Sequence, residues 1–156
     1  MNFTEIMNTC YIIKNISSTN KKKEFLASIT DEDFKNFLKW EFDSSIVSGL
    51  SDKKINKVLT DDMFDDGDWS TCDVKTIFDV FRYLENHKTG TDNDIKTVQW
   101  YRKQICKNDE EVEFFNRVVT KDLPLGLDYK TINKVWNGLI PYFEVALCSK
   151  LSDYPN

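Results

Sequence analysis

The sequence predicts an all-α protein, a single compact domain of about seven to nine helices with no convincing strand. Three observations lead there. Only five Gly and three Pro occur in 156 residues, too few turn formers for a β-sandwich. Apolar residues recur at three- and four-residue steps along most of the chain. Hydrophobic residues make up 40% and aromatics 13%, enough to fill one core at this length and to argue against disorder. The helical domain is set at residues 1–148, with 149–156 as the start of a linker or tail. No internal repeat of 20 to 50 residues is visible, which disfavours a helical solenoid.

Phe3, Ile6, Met7, Cys10, Ile13 and Ile16 draw one apolar stripe and predict an N-terminal helix of about four turns. Ser17, Ser18, Thr19 and Asn20 break it and offer N-cap oxygens to a short second helix over 21–29. Phe25, Leu26 and Ile29 supply its buried side, and Lys21, Lys22 and Lys23 stand in its first turn. Thr30 with Asp33 forms an approximate capping box for a third helix, whose aromatic face runs from Phe34 to Phe42. Ser51 caps a helix over 52–59. Residues 60–73 contain Gly67 and no sustained period, and read as a loop. Val74, Ile77, Phe78, Phe81 and Leu84 mark an amphipathic helix that ends near Gly90.

Thr91 with Asp94, and Asn108 with Glu111, open two more helices, each with an acid where it answers exposed amides and the helix dipole. Their inward stripes are Ile95, Val98 and Ile105, then Val112, Phe115 and Val119. After the turn Leu123-Pro124-Leu125-Gly126, Asp128 caps a last short helix through Trp136, with Pro141 beyond its end.

The net charge of −5 argues against a nucleic-acid binder driven by overall charge, because such proteins usually carry a basic surplus. Asp61, Asp62, Asp65, Asp66, Asp68 and Asp73 crowd one stretch, however, and outside it twenty-one bases face twenty acids. Basic faces therefore remain available. The same stretch mimics a calcium loop at Asp62, Asp66, Gly67, Asp68 and Asp73, but Phe64 occupies a ligand position and Asp73 stands where Glu is expected. A solvated acidic loop is the simpler reading. Cys10, Cys72, Cys106 and Cys148 lie far apart with only His87 to join them, so zinc-ligand spacing is missing and reduced, packed thiols are expected. No segment nears the roughly 20 apolar residues that span a bilayer, and no secretory signal is visible. The expectation is a soluble cytoplasmic protein, in the host cytoplasm if viral, with no membrane partner.

The stretch Arg117-Val118-Val119-Thr120-Lys121-Asp122-Leu123-Pro124-Leu125-Gly126, followed by Thr131-Ile132-Asn133-Lys134-Val135-Trp136, resembles a signature near the end of the N-terminal helical DNA-binding domain of ATP-dependent DNA ligases, closest to the compact bacteriophage type. That pattern runs Arg, four residues, Asp-Leu, two residues, Gly, then Thr-Ile-Asn-Lys-Val-aromatic, and each position is filled. Ser17-Ser18-Thr19-Asn20-Lys21-Lys22-Lys23 is similar to the family's Gly-Ser-Thr-Lys segment, with a Ser where Gly is frequent. The helix pair joined through Lys88-Thr89-Gly90 fits the layout, and residues 43–70 fall outside it. The resemblance implies a sequence-independent module that grips the backbone and minor groove of nicked duplex DNA in replication or repair.

The residues themselves offer a chemistry for that role. Gly126 permits a turn closed to other residues and delivers the next helix start, whose amides attract phosphate. Lys121, Lys130 and Lys134 flank it, and Thr131 and Asn133 add hydrogen-bonding groups. Ser18, Thr19, Lys21 and Lys22 offer the same combination at the second helix. On residues alone these lysines also fit a solvated surface, and Gly126 a simple turn. Arg117 and Asp122 are spaced for an ion pair that pins the turn more than for DNA contact. Trp69 and Trp100 are candidates to stack on bases or dock a partner, against a core role.

None of the eighteen lysines begins the K-x-D-G motif on which these ligases carry AMP, so the chain alone is not expected to ligate. It has no catalytic residues of its own in this reading, and no cofactor; ATP and Mg are implied only for a nucleotidyltransferase domain, present in cis if the chain is a fragment of a longer ligase. The alternative is a free-standing relative acting as a protein-interaction or inhibitory DNA-mimic module against a basic protein surface. An enzyme acting alone ranks third, without a His-based dyad, metal cluster or phosphate-cradling glycine loop.

Overall fold

A computed structural model describes residues 1–59, 76–87 and 90–141. The acidic stretch with its calcium-loop mimic, Trp69, Cys72, Val74, Lys88, Thr89, Cys148 and the tail at 149–156 lie outside the described residues. Among those described there are eight helices and no strand, and the all-α expectation holds. They are α1 (Phe3–Asn15), α2 (Thr19–Ser28), α3 (Glu32–Phe42), α4 (Asp52–Ile55), α5 (Ile77–Asn86), α6 (Asp92–Ile105), α7 (Asp109–Val119) and α8 (Tyr129–Val135). None is long and apolar enough to cross a membrane.

Local chemistry sets most boundaries. Thr91 and Asp94 form a full capping box at α6, Ser18 caps α2, and Asn108 accepts from the Glu111 amide at α7. Two starts or ends depart from the expected ones. Asp31, not Thr30, caps α3: its Oδ1 accepts from the Asp33 amide at 2.8 Å. Asp31 and Asp33 also hold the N-terminal ammonium, at 3.4 and 2.9 Å, which ties α1 to α3. The helix expected over 52–59 stops after one turn, because the Asn56 side chain donates to the Asp52 carbonyl at 3.0 Å and competes with the helical ladder.

The core is built on aromatic rings. Phe114 of α7 meets Phe3 of α1 at 5.4 Å between centroids and stacks near Phe37 of α3 at 6.2 Å. Trp40 of α3 stacks on Phe81 of α5 at 4.0 Å with the rings only 4° from parallel. This arrangement corrects the expected α7 stripe: Phe114 and Val118 join Phe115 and Val119 inside, while Val112 is only half-buried. The helix is wedged between α1 and α4, so its buried arc is wider than one stripe. In α6, Ile95 and Val98 are buried as expected, and Ile105, at the helix end, only half so. Elsewhere α6 packs on α4 and α5, and α2 packs on α8.

Two features of the core are polar. Glu41 is buried with neither carboxylate oxygen hydrogen-bonded, and the neighbouring Trp40 Nε1 is likewise unpartnered. Burial pushes the Glu41 carboxyl well above its usual range, against the pull of the Lys121 ammonium. Cys10 is buried and Cys106 half-buried, both as free thiols. Burial raises the Cys10 thiol and pushes Cys106 up to about 12, which keeps both protonated and unreactive.

Candidate nucleic-acid interface

The end of α7 sets up the site. The Lys121 amide donates to the Val118 carbonyl and the Asp122 amide to Arg117, each at 3.0 Å, a Schellman turn with Lys121 in the left-handed region at φ 58°. A lysine there carries strain of about 1–2 kcal/mol that glycine would avoid. Its side chain explains the choice: Nζ donates to the carbonyls of Asp43 at 2.6 Å and Ile46 at 2.7 Å, and lies 5.0 Å over the Trp40 ring. Lys121 therefore fastens the loop after α3 to the end of α7. Arg117 and Asp122 form the expected ion pair at 3.6 Å across the same turn, both well exposed.

The chain then passes through buried Leu125 to Gly126, at φ 67°. A Cβ on Gly126 would stand 2.4 Å from the Nζ of Lys22. That atom reaches across from α2 and donates to the carbonyls of Leu125 at 3.0 Å and Gly126 at 3.2 Å. Lys22 is only 7% exposed. The two helix starts singled out in the sequence are thus fastened side by side, and a lysine of one closes the turn that begins the other.

Of the ten candidate residues, three face inward. Lys22 and Lys121 have their ammonium groups on main-chain carbonyls. Asn133 uses both ends of its amide on Ile140, donating to its carbonyl at 3.0 Å and accepting from its N–H at 2.8 Å. These three build the surface rather than present it, because buried carbonyls left without donors are costly and the fold supplies these side chains to them. Thr19, Lys21, Gly126, Lys130 and Lys134 are exposed, and Ser18 and Thr131 half-exposed. α2 packing on α8 brings them together.

The amides at the two helix starts are less open than the sequence implies. Ser18 Oγ accepts from the Lys21 amide at 3.4 Å, and Asp128 Oδ1 from the Thr131 amide at 2.8 Å. The Thr131 N–H holds the Asp128 carboxyl below its ordinary range, so this N-cap is an ionised acid. Any anion held here relies on the lysine and hydroxyl side chains more than on bare amides. A neighbour missed in the sequence is Lys35 of α3, whose Nζ sits 5.6 Å over the Trp136 ring and borders α8 with a further positive charge. No spacing within the chain signals it, since the two residues meet only through packing. Compared with known proteins, the chain matches no protein-family model and no curated sequence.

Proposed function

We propose that this chain is a sequence-independent DNA-binding module of the kind that ATP-dependent DNA ligases carry, seated on duplex DNA through the joined starts of α2 and α8. The observation that carries it is the convergence of those two segments: Lys22 binds the Leu125 and Gly126 carbonyls and leaves Lys21, Lys130 and Lys134 exposed on one surface. Their charge, with the hydroxyls of Ser18, Thr19 and Thr131, suits sugar-phosphate oxygens, which position DNA without reading its bases. The module holds a nicked duplex for an adenylylating domain, to which ATP and Mg belong.

Nicked duplex DNA should be retarded in a mobility-shift assay at low salt, with an affinity of about micromolar or weaker that falls steeply as salt rises. Lys130→Ala combined with Lys134→Ala should lower the slope of log affinity against log salt by about two. An unchanged affinity and slope in that variant would falsify the proposed surface.

A second reading is favoured by the net charge of −5 and by the ionised Asp128 at the α8 start. In it the same fold serves as a protein-interaction or DNA-mimic module for a basic partner. Absence of retardation across a broad range of protein concentration supports that reading over the first.

A further inference from the structure

One further surface shares no residue with the α2–α8 face. α6 and the start of α7 enclose an open groove of about 630 Å³ lined by Lys96, Trp100, Lys103 and Lys107. The spacing of four, three and four residues places these side chains one above another on the same helical face, with Lys107 just past the helix end. Lys103 and Lys107 are exposed. Trp100 is half-buried: it packs against the core and also lines the groove.

The other polar residues of the groove show which charges are available. Arg102 donates from Nη1 to Asn116 Oδ1 at 2.8 Å and to the Ile55 carbonyl at 3.4 Å, so its charge is committed to fastening α6 to α7 and α4. Gln99 donates to the carbonyls of Ile55 at 3.1 Å and Lys57 at 2.8 Å. The positive character of the groove thus belongs to its three lysines, with Asp109 as the single acid among the lining residues.

We infer that this groove binds single-stranded nucleic acid, with Trp100 stacking on a base and Lys96, Lys103 and Lys107 following the phosphates. The lysines span about 16 Å at the helical rise, enough for several nucleotides of an extended strand. An indole set between cations suits a strand whose bases are free to stack, and sequence-tolerant stacking of this kind is a standard way of holding single strands. A duplex hides its base faces and gains nothing from Trp100. An acidic peptide satisfies the lysines and leaves the indole without a flat partner.

The test is fluorescence anisotropy of a labelled fifteen-residue oligothymidylate at low salt, with circular dichroism to check folding. Trp100→Ala should weaken binding by about tenfold or more and Trp100→Phe by much less, because a phenyl ring still stacks. Lys103→Glu with Lys107→Glu, both on exposed side chains, should weaken binding and flatten its salt dependence, and carries the test if Trp100→Ala does not fold. Lys130→Ala with Lys134→Ala should leave oligothymidylate binding unchanged, which separates this groove from the duplex surface whether or not that surface proves correct. Unaltered binding in both groove variants overturns the inference. So does polyglutamate that displaces the strand as well as unlabelled oligothymidylate does, an outcome that assigns the groove to an acidic protein.

Discussion

At the scale of single residues, the same side-chain type does two different jobs here. Lys21 and Lys22 are neighbours in the chain, yet Lys21 is exposed and Lys22 is buried on the carbonyls of Leu125 and Gly126. One helical step separates a side chain offered to solvent from one that holds a turn shut. Lys22→Met keeps the aliphatic stem and removes the donor, leaving those two acceptors without their ammonium. The expected loss is about 1–3 kcal/mol of stability, read as a lower urea midpoint, with the salt slope of duplex binding unchanged. A variant as stable as the parent but with a slope reduced by about one would instead place Lys22 on the phosphates.

At the scale of elements, caps decide where helices begin and close approaches decide how they sit. The capping boxes at α1, α5 and α6 are each complete, with the N-cap and its third residue answering one another. Just before α6, Gly90 is buried at φ 62°, and a Cβ there would lie 2.1 Å from the Gly49 carbonyl oxygen. The segment after α3 and the entry to α6 touch main chain to main chain. Gly138 makes an internal control, since it has a similar φ of 71° with nothing within 4 Å of its added Cβ. Gly138→Ala should cost about 1–2 kcal/mol from backbone strain alone. Gly90→Ala should cost clearly more in the same denaturation experiment, because backbone atoms have to separate. Equal losses would show that the contact with Gly49 is not a constraint.

At the scale of the whole molecule, the balance of charge acts through stability as well as through partners. Glu41 is enclosed among Cys10, Trp40 and Lys121, and burial raises its carboxyl above the ordinary value of 4.5. Sign follows from proton counting. Between the ordinary value and the raised one the folded chain holds a proton that the unfolded chain has released, so stability falls as pH rises through that interval. Below pH 4.5 both states are protonated and this contribution is constant. Glu41→Gln removes the ionisation. The variant should therefore gain stability over the parent progressively above about pH 4.5, seen as diverging urea midpoints. Parallel curves for the two proteins from acid to neutral pH would show that Glu41 ionises in the fold without penalty.

Read alone, the sequence determined the all-helical class, the start of α6 at Thr91 and of α7 at Asn108, and the Arg117–Asp122 pair. Each depends on residues within a few positions of one another, where periodicity and capping chemistry are written directly into the chain. The one-turn length of α4, the wider buried face of α7 and the inward turn of Lys22, Lys121 and Asn133 were not legible. For the two lysines the acceptors lie more than seventy residues away in sequence. Only tertiary packing sets those carbonyls within reach, and a lysine will satisfy whichever buried acceptor or solvent the fold places before it. The groove on α6 falls between these cases: its spacing was present in the sequence, but packing against α7 enclosed it.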